Sequence, residues 1–337
     1  MSHNAKIKVS SKSFSKHPVL REELLTAFPN AEFNEDGVVF DAETFAAFVG
    51  DAAGVVVGLE PVNDSVLTQC PDLQIAAKYG VGLDNIDQAA ADKHTVKIGW
   101  TGGVNRRCVA EMTLCFMLGL SRHVLFSARN LVANNDWIKN GGFDLSGRTV
   151  GIIGVGFIGK DLADLLKPIG CKILVNDIIG QSDYYQIHGL IERTKEEIYA
   201  EADIITVHTP LDETTRGLFN ADVFSQMKDS AYFINCARGG IVVQDDLKQA
   251  LISGAIAGAA IDVFETEPYF GPLVEVDHCV LTAHMGSMTE DCRTRMEIEA
   301  TEEVVRFISG QPLQNTVPEA EYEIQSGRLL LRGQEIQ

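Results

Sequence analysis

The spacing Gly154-Val-Gly156-Phe-Ile-Gly159 constrains the fold of this chain more than any other feature. The glycine pattern alone is common, but its setting here is specific. Thr149–Ile153 reads as an apolar strand leading into it. A helix with Leu162, Leu165, Leu166 and Ile169 on one face follows. A second strand, Lys172–Asn176, then ends at Asp177. Strand, glycine turn, helix, strand and acid, in that order, form the βαβ unit that cradles a dinucleotide. Gly154 permits the tight turn, Gly156 lets the backbone approach a pyrophosphate, and Gly159 lets the helix pack close to the strand. The helix N-terminus, with Phe157 and Ile158 in its first turn, brings N–H groups and partial positive charge to the phosphates. Asp177 accepts from ribose hydroxyls and repels a 2′-phosphate. Ile178, Ile179, Gly180 and Gln181 supply no arginine to offset that repulsion. NAD is the expected cofactor.

The rest of the chain extends this pattern in both directions. Ahead of the fingerprint, Lys6–Val9, Gly54–Leu59 and Leu73–Lys78 read as strands, and Pro18–Phe28, Asp41–Val49 and Asp64–Cys70 as helices. Such alternation argues a parallel sheet with crossover helices. Beyond the fingerprint, strands are predicted at Ile204–His208, Tyr232–Cys236, Ala257–Val263 and Cys279–Ala283, with helical segments between most of them. This is the pattern of an open doubly wound sheet. Gly99-Trp-Thr-Gly-Gly103 interrupts the alternation. From Asn105, placed to cap it, a helix is predicted to about His123, apolar nearly all round and so buried on all sides. Ser287-Met-Thr-Glu290 matches a capping box for a helix to about Ser309. The tail beyond Val317 suggests a small hairpin over 321–332. The expected class is α/β with two doubly wound domains. A Rossmann NAD-binding domain, 104–286, is inserted into a flavodoxin-like substrate domain, 1–103 and 287–337.

Length and charge narrow the partners. At 337 residues the chain has room for two domains. The formal net charge of -19 disfavours nucleic acid and anionic membrane surfaces, so an anionic substrate must be drawn in by local cations. The longest apolar run, Met112–Leu120, is far short of a membrane span. The N-terminus has no apolar signal-peptide core. Seven scattered cysteines without CxxC spacing suit free thiols in the cytoplasm and no metal centre.

Four polar motifs fall at the carboxyl ends of predicted strands, where open α/β sheets bind ligands. They are His208-Thr209-Pro210, Asn235-Cys236-Ala237-Arg238-Gly-Gly240, Asp262-Val-Phe-Glu-Thr-Glu267-Pro268 and Thr282-Ala-His284-Met-Gly-Ser287. Reducing a ketone needs a proton donor, a cation for carboxylate and developing oxyanion, and a group that orients the donor. His284 suits the first role and Arg238, with its planar fork, the second. Glu267 suits the third, with Glu265 as its rival. His208 reads equally well as a cofactor contact or as a satisfied strand-end histidine. Asp262 is a candidate acceptor for the nicotinamide carboxamide.

These motifs resemble the D-isomer-specific 2-hydroxyacid dehydrogenases. The resemblance runs from about Gly54 to Val317. It includes Gly80-Val-Gly-Leu-Asp-Asn-Ile-Asp87, Gly103-Val-Asn105, Val109-Ala-Glu111, the fingerprint with Asp177, and the Arg238, Glu267 and His284 motifs. The 29-residue spacing from Arg238 to Glu267 fits that family and selects Glu267 over Glu265. The resemblance implies two α/β domains with a cleft site and a D-configured 2-hydroxy or 2-oxo acid. It also implies substrate contacts from Gly80, Val81, Gly82 and Asn105, and a homodimer through the 105–123 helix. Ala283, where the family usually has proline, and Val243, where it usually has an acid, depart from the pattern. The alternative reading is an NAD(H)-sensing or corepressor-like protein on the same scaffold. A third is a relative acting on formate or phosphite. Finally, the loop Ser10-Ser-Lys12-Ser13-Phe-Ser-Lys16-His17 follows a strand end and gathers hydroxyls and lysines. Lys12 and Ser13 are therefore expected to contact a second anionic group on the substrate, with Arg106 and Arg107 as possible helpers.

Overall fold

A computed structural model describes residues 4–321 apart from 17, 140 and 320, with Ser13 and Val19 described by backbone alone. Apart from Glu321, the expected C-terminal hairpin lies outside these residues. The described residues divide into two compact units, one running up to Asn105 and resuming at Glu290, the other Arg106–Thr289. The expected boundaries were 103/104 and 286/287.

The first unit is built on strands β1 (Ile7–Val9), β2 (Glu32–Phe33), β3 (Gly54–Val57), β4 (Ile75–Lys78) and β5 (Lys97–Gly99), all parallel in the order β2-β1-β3-β4-β5. This is the flavodoxin-like order. The consecutive valines of β3 serve both faces, as the period of two requires. Val55 and Val57 join a core with Phe45, Val49 and Leu67, while Val56 joins another with Phe14, Leu24 and Val304. A sheet covered on both faces reads as an unbroken apolar run. Helix Glu290–Ile308 belongs to this unit. It starts at Glu290, so Ser287 precedes it by three residues and does not cap it as expected. The segment Ser10–Lys16 is not a loop. Lys12–Lys16 is helical, stabilised locally as Phe14 N–H donates to Ser11 Oγ and Ser15 Oγ donates to Ser11 O.

The second unit holds strands β6 (Thr149–Ile153), β7 (Lys172–Asn176), β8 (Ile191–Glu192), β9 (Ile204–Val207), β10 (Tyr232–Asn235), β11 (Gly258–Ile261) and β12 (Cys279–Leu281). They form one seven-stranded parallel sheet ordered β12-β11-β10-β9-β6-β7-β8. Strand order reverses at β6, which pairs with both β7 and β9. The register sets the site. Ile153 aligns with Asn176 and Val207, Val207 with Asn235, Asn235 with Ile261, and Ile261 with Leu281. The next residue on each strand is therefore Gly154, Asp177, His208, Cys236, Asp262 or Thr282. All six stand in one row at the carboxyl rim.

The long apolar helix differs from expectation. It runs Arg106–Ser121 and gives way to a second helix, Val124–Asn134, bent 65° from it at His123, whose φ is 51°. Only one face is buried, through Cys108, Val109, Phe116, Met117 and Leu120, while Glu111, Cys115 and Leu118 are exposed. The second helix has no fully buried residue. Asn105 does not cap through Oδ1, which is buried without a hydrogen-bond partner. Among the described residues no single helix is long and apolar enough to cross a membrane.

Candidate active site

The dinucleotide loop has the geometry its glycines imply. Gly154 has φ +93°, and a Cβ there would lie 2.6 Å from His208 O. A Cβ on Gly159 would lie 2.2 Å from Gly154 O, so the helix can sit against the turn only without one. At Gly156 a Cβ would meet nothing within 4 Å, which leaves the backbone open to a ligand. Gly156 is also the N-cap of helix Phe157–Leu166 and gives it no side-chain cap. The first N–H groups of that helix are thus left for an anion. Phe157 is 53% exposed, whereas Ile158 packs into the core. Asp177 accepts from Val155 N–H at 2.6 Å and Ile179 N–H at 2.9 Å, so it braces the loop and keeps lone pairs for a ribose. Two polar atoms at the end of β9, His208 Nδ1 and Thr209 Oγ1, are buried without a partner. His208 Nε2 pairs with Thr206 Oγ1 at 3.0 Å. Burial pushes its pKa down to about 3, so the ring is neutral. Pro210 is exposed, while Cys236 and Ala237 are buried. Burial likewise pushes the Cys236 thiol up, which removes it as a nucleophile. An open glycine, an uncapped helix start and orphaned polar atoms on one rim fit a dinucleotide.

The three residues singled out for catalysis come from adjacent strand ends. Arg238 follows β10 in a turn built by Asn235, whose Oδ1 accepts from Ala237 N–H and whose Nδ2 donates to Arg238 O, both at 2.9 Å. A Cβ on Gly239 would lie 1.9 Å from Phe264 C, so this glycine lets the arginine turn press against the loop after β11. In that loop Glu267 Oε1 accepts from Phe264 N–H at 3.0 Å, and Oε2 lies 2.8 Å from His284 Nδ1. Glu265 lies 3.4 Å from Arg216 and is 66% exposed at its side chain, so the geometry pairs Glu267 with the histidine. His284 has φ +50° and keeps 37% of its side chain exposed. With Nδ1 engaged, Nε2 is the nitrogen left to exchange a proton. Asn235 and Gly239 were not singled out from the sequence. The Asn-Cys-Ala-Arg-Gly-Gly run that contains them was their only signal.

Asp262 is fully buried. Its carboxylate accepts from Thr282 Oγ1 and from the N–H groups of Met285 and Gly286, the last two at 2.7 Å. Three of its roughly four acceptor positions are thus spent inside the chain.

In the first unit, Gly80 has φ +108° with nothing within 4 Å of a would-be Cβ. Gly80, Val81 and Gly82 are partly exposed, with Val81 O accepting from Trp100 Nε1 at 2.9 Å. Three hydroxyls of the expected cluster, those of Ser10, Ser11 and Ser15, are turned into the protein. Ser10 and Ser15 are buried and donate to backbone carbonyls, and buried Ser11 accepts from Phe14 N–H. Lys12 is exposed with its stem across Gly37. Arg107 Nη2 donates to Asp161 at 2.9 Å. Among the described residues no group of three or more His, Cys, Asp or Glu could hold a metal ion.

A reversing parallel sheet with an open glycine turn and an acid after its second strand defines a dinucleotide-binding α/β protein. Comparison with known proteins narrows the class. Residues 114–286 match the model of the D-isomer specific 2-hydroxyacid dehydrogenase NAD-binding domain. The chain is 36% identical over 259 residues to a D-3-phosphoglycerate dehydrogenase of Bacillus subtilis, covering 76% of this chain and 49% of that protein. It is 33% identical over 266 residues to a glyoxylate reductase of Korarchaeum cryptofilum, covering 77% and 80%. Its fold matches a glyoxylate reductase from Paecilomyes thermophila with a TM-score of 0.84 at 22% identity, over 95% of this chain and all of that one. The chain belongs to the D-isomer-specific 2-hydroxyacid dehydrogenase family and carries its NAD-binding domain. It spans about half the length of the D-3-phosphoglycerate dehydrogenases it matches.

Proposed function

We propose that this protein is an oxidoreductase that exchanges a hydride between NAD(H) and C2 of a small D-2-hydroxy acid or the matching 2-oxo acid. The observation that carries the reading is the His284 Nδ1–Glu267 Oε2 pair at 2.8 Å, on the strand rim that also bears the dinucleotide loop. The backbone of Gly154, Gly156, Phe157, Ile158 and Gly159 would hold the cofactor, with Asp177 on the ribose. His208, Thr209, Pro210, Cys236, Ala237 and Asp262 would line the remainder. NAD, when bound, supplies or accepts the hydride. The chain's own residues manage the rest. Arg238 grips the substrate carboxylate and steadies the negative charge that develops on the C2 oxygen. His284 Nε2 gives that oxygen its proton during reduction and takes it back during oxidation. Glu267 holds the imidazole in the tautomer that makes this possible.

Gly80, Val81, Gly82 and Asn105 of the first unit are proposed to contact the substrate, as the family resemblance implies. Lys12, with Ser13 beside it, is proposed to meet a second anionic group where the substrate has one. The exposed apolar helix faces suit a homodimer. The cysteines, all free among the described residues, suit a reducing cytoplasm.

The test is a panel of 2-oxo acids, monoanionic and dianionic, scored by NADH and NADPH oxidation. Turnover with NADH and not NADPH is expected for at least one member. If Lys12 contacts a distal anion, Lys12→Ala raises KM for dianionic members alone. Binding of NADH without turnover of any member would instead favour a sensor.

A further inference from the structure

The loop that carries His284 is held by one buried side chain, which points to a role the cofactor contacts do not cover. Asp262 is fully buried at the end of β11. It reaches β12 and the loop beyond through four bonds. Thr282 Oγ1 and Met285 N–H donate to its Oδ1, Gly286 N–H to its Oδ2, and His284 N–H to its main-chain oxygen at 2.8 Å. These four donors come from four of the five residues 282–286. His284, inside that clamp, stands at φ +50°, a left-handed conformation that a non-glycine residue adopts only when its surroundings impose it. Without those four acceptances the turn has no reason to keep the strained residue. Relaxation of φ would swing the imidazole away from Glu267.

We propose that Asp262 is a positioning residue for proton transfer: its carboxylate ties Thr282, Met285 and Gly286 into a turn that fixes His284 against Glu267. The fit is specific to a carboxylate. Each carboxylate oxygen faces a backbone N–H, Met285 on Oδ1 and Gly286 on Oδ2, so both oxygens must accept. An asparagine would present its NH2 to one of these two backbone N–H groups whichever way it is turned, lose that bond and set two donors against each other. The inference rests on His284 being the acid–base group.

Two variants of the full chain test it. Asp262→Asn removes the acceptor character, and Thr282→Val removes one bond while leaving the carboxylate. Three quantities are measured: kcat with the best 2-oxo acid at saturating NADH, Kd for NADH by fluorescence, and the downfield N–H proton resonance of the His284–Glu267 bond. Asp262→Asn is expected to lower kcat about 10²-fold, the scale of an ångström-sized misplacement. Although Asp262 lines the cofactor site, three of its acceptor positions face inward, so the variant's Kd for NADH should rise by no more than about 3-fold, less than 1 kcal/mol, and the downfield resonance should be lost. Thr282→Val should show the same pattern more weakly, and it carries the test alone if Asp262→Asn does not fold. A raised Kd with kcat and the resonance intact would overturn the proposal and leave Asp262 a carboxamide acceptor only. Unchanged kcat with an unchanged resonance would overturn it too. His284→Ala, run alongside, separates the two ideas. Full activity there removes the acid–base role, whereas the resonance in the Asp262 and Thr282 variants reports the clamp regardless.

Discussion

Glu265 and Glu267 lie two residues apart, and only their partners tell them apart. Glu267 shares a 2.8 Å contact with His284, and Glu265 lies 3.4 Å from Arg216 near the surface. Glu267→Gln and His284→Ala are therefore each expected to lower the rate of 2-oxo acid reduction by roughly 10²–10⁴. Glu265→Gln removes an exposed ion pair of the kind worth about 0–1 kcal/mol and should leave the rate near wild type. Steady-state kinetics of the three variants decides it, and a slow Glu265→Gln beside a fast Glu267→Gln would reverse the assignment. His208 makes a second prediction, about stability. Its folded pKa is depressed to about 3 by burial, from a usual 6.5. Above pH 6.5 neither the folded nor the unfolded ring is protonated, so the group contributes nothing there. As pH falls below 6.5 the unfolded ring gains a proton that the folded ring refuses, and stability falls by up to about 1.4 kcal/mol per pH unit. Denaturant midpoints of the wild type and His208→Gln between pH 7 and 4.5 should diverge on that account. The variant should lose less stability on acidification, and parallel curves would show that the ring charges freely in the folded protein.

Elements with a full apolar run and a glycine stop were legible in the sequence. β6 and β7 lie where the pattern placed them, and β9 to β12 within two residues at either end. The two-residue strands β2 and β8 were not legible, because Glu32–Phe33 and Ile191–Glu192 are too short to show a period of two. Helix Lys12–Lys16 escaped notice because one buried phenylalanine among serines and lysines looks like a loop. Arg238, Glu267 and His284 were legible as strand-end motifs. Asn235 and Asp262 were not legible as scaffolding, because what each does depends on backbone groups brought close by the sheet register. The dinucleotide turn offers a contrast within one element. Ala at Gly159 would drive a Cβ to 2.2 Å from Gly154 O, an overpacking worth about 1–3 kcal/mol. At Gly156 the same methyl meets no protein atom within 4 Å, and replacing an N-cap glycine by alanine costs at most about 1 kcal/mol. Gly156→Ala should therefore fold with a near-normal Tm yet bind NADH at least about 10-fold more weakly, whereas Gly159→Ala should lose both. Calorimetry and NADH titration measure the two quantities, and unweakened NADH binding by Gly156→Ala would place the pyrophosphate elsewhere.

At the scale of the whole molecule, two properties oppose each other. The net charge of -19 makes any two copies repel. Against this, helix Val124–Asn134 has no fully buried residue, and Leu118, Val124, Leu125, Leu131 and Val132 are exposed in the single chain, Val132 at 86%. Soluble monomers seldom leave two successive helices with so much apolar surface uncovered. A second copy laid on these helices would bury it in a self-complementary, two-fold contact. Salt then distinguishes the forces. Screening weakens the like-charge repulsion between copies and leaves apolar burial in place, so the dimer should tighten as ionic strength rises. An association held by ion pairs would loosen instead. Val132→Asp adds one charge per copy within the proposed contact. It should fold as well as the wild type, because Val132 is largely exposed in its own chain, and it should shift the protein to monomer. Sedimentation of wild type and variant across a salt series measures both effects. A wild type that sediments as a monomer at every salt concentration, or a Val132→Asp protein as dimeric as the wild type, would leave these helices without the partner their composition calls for.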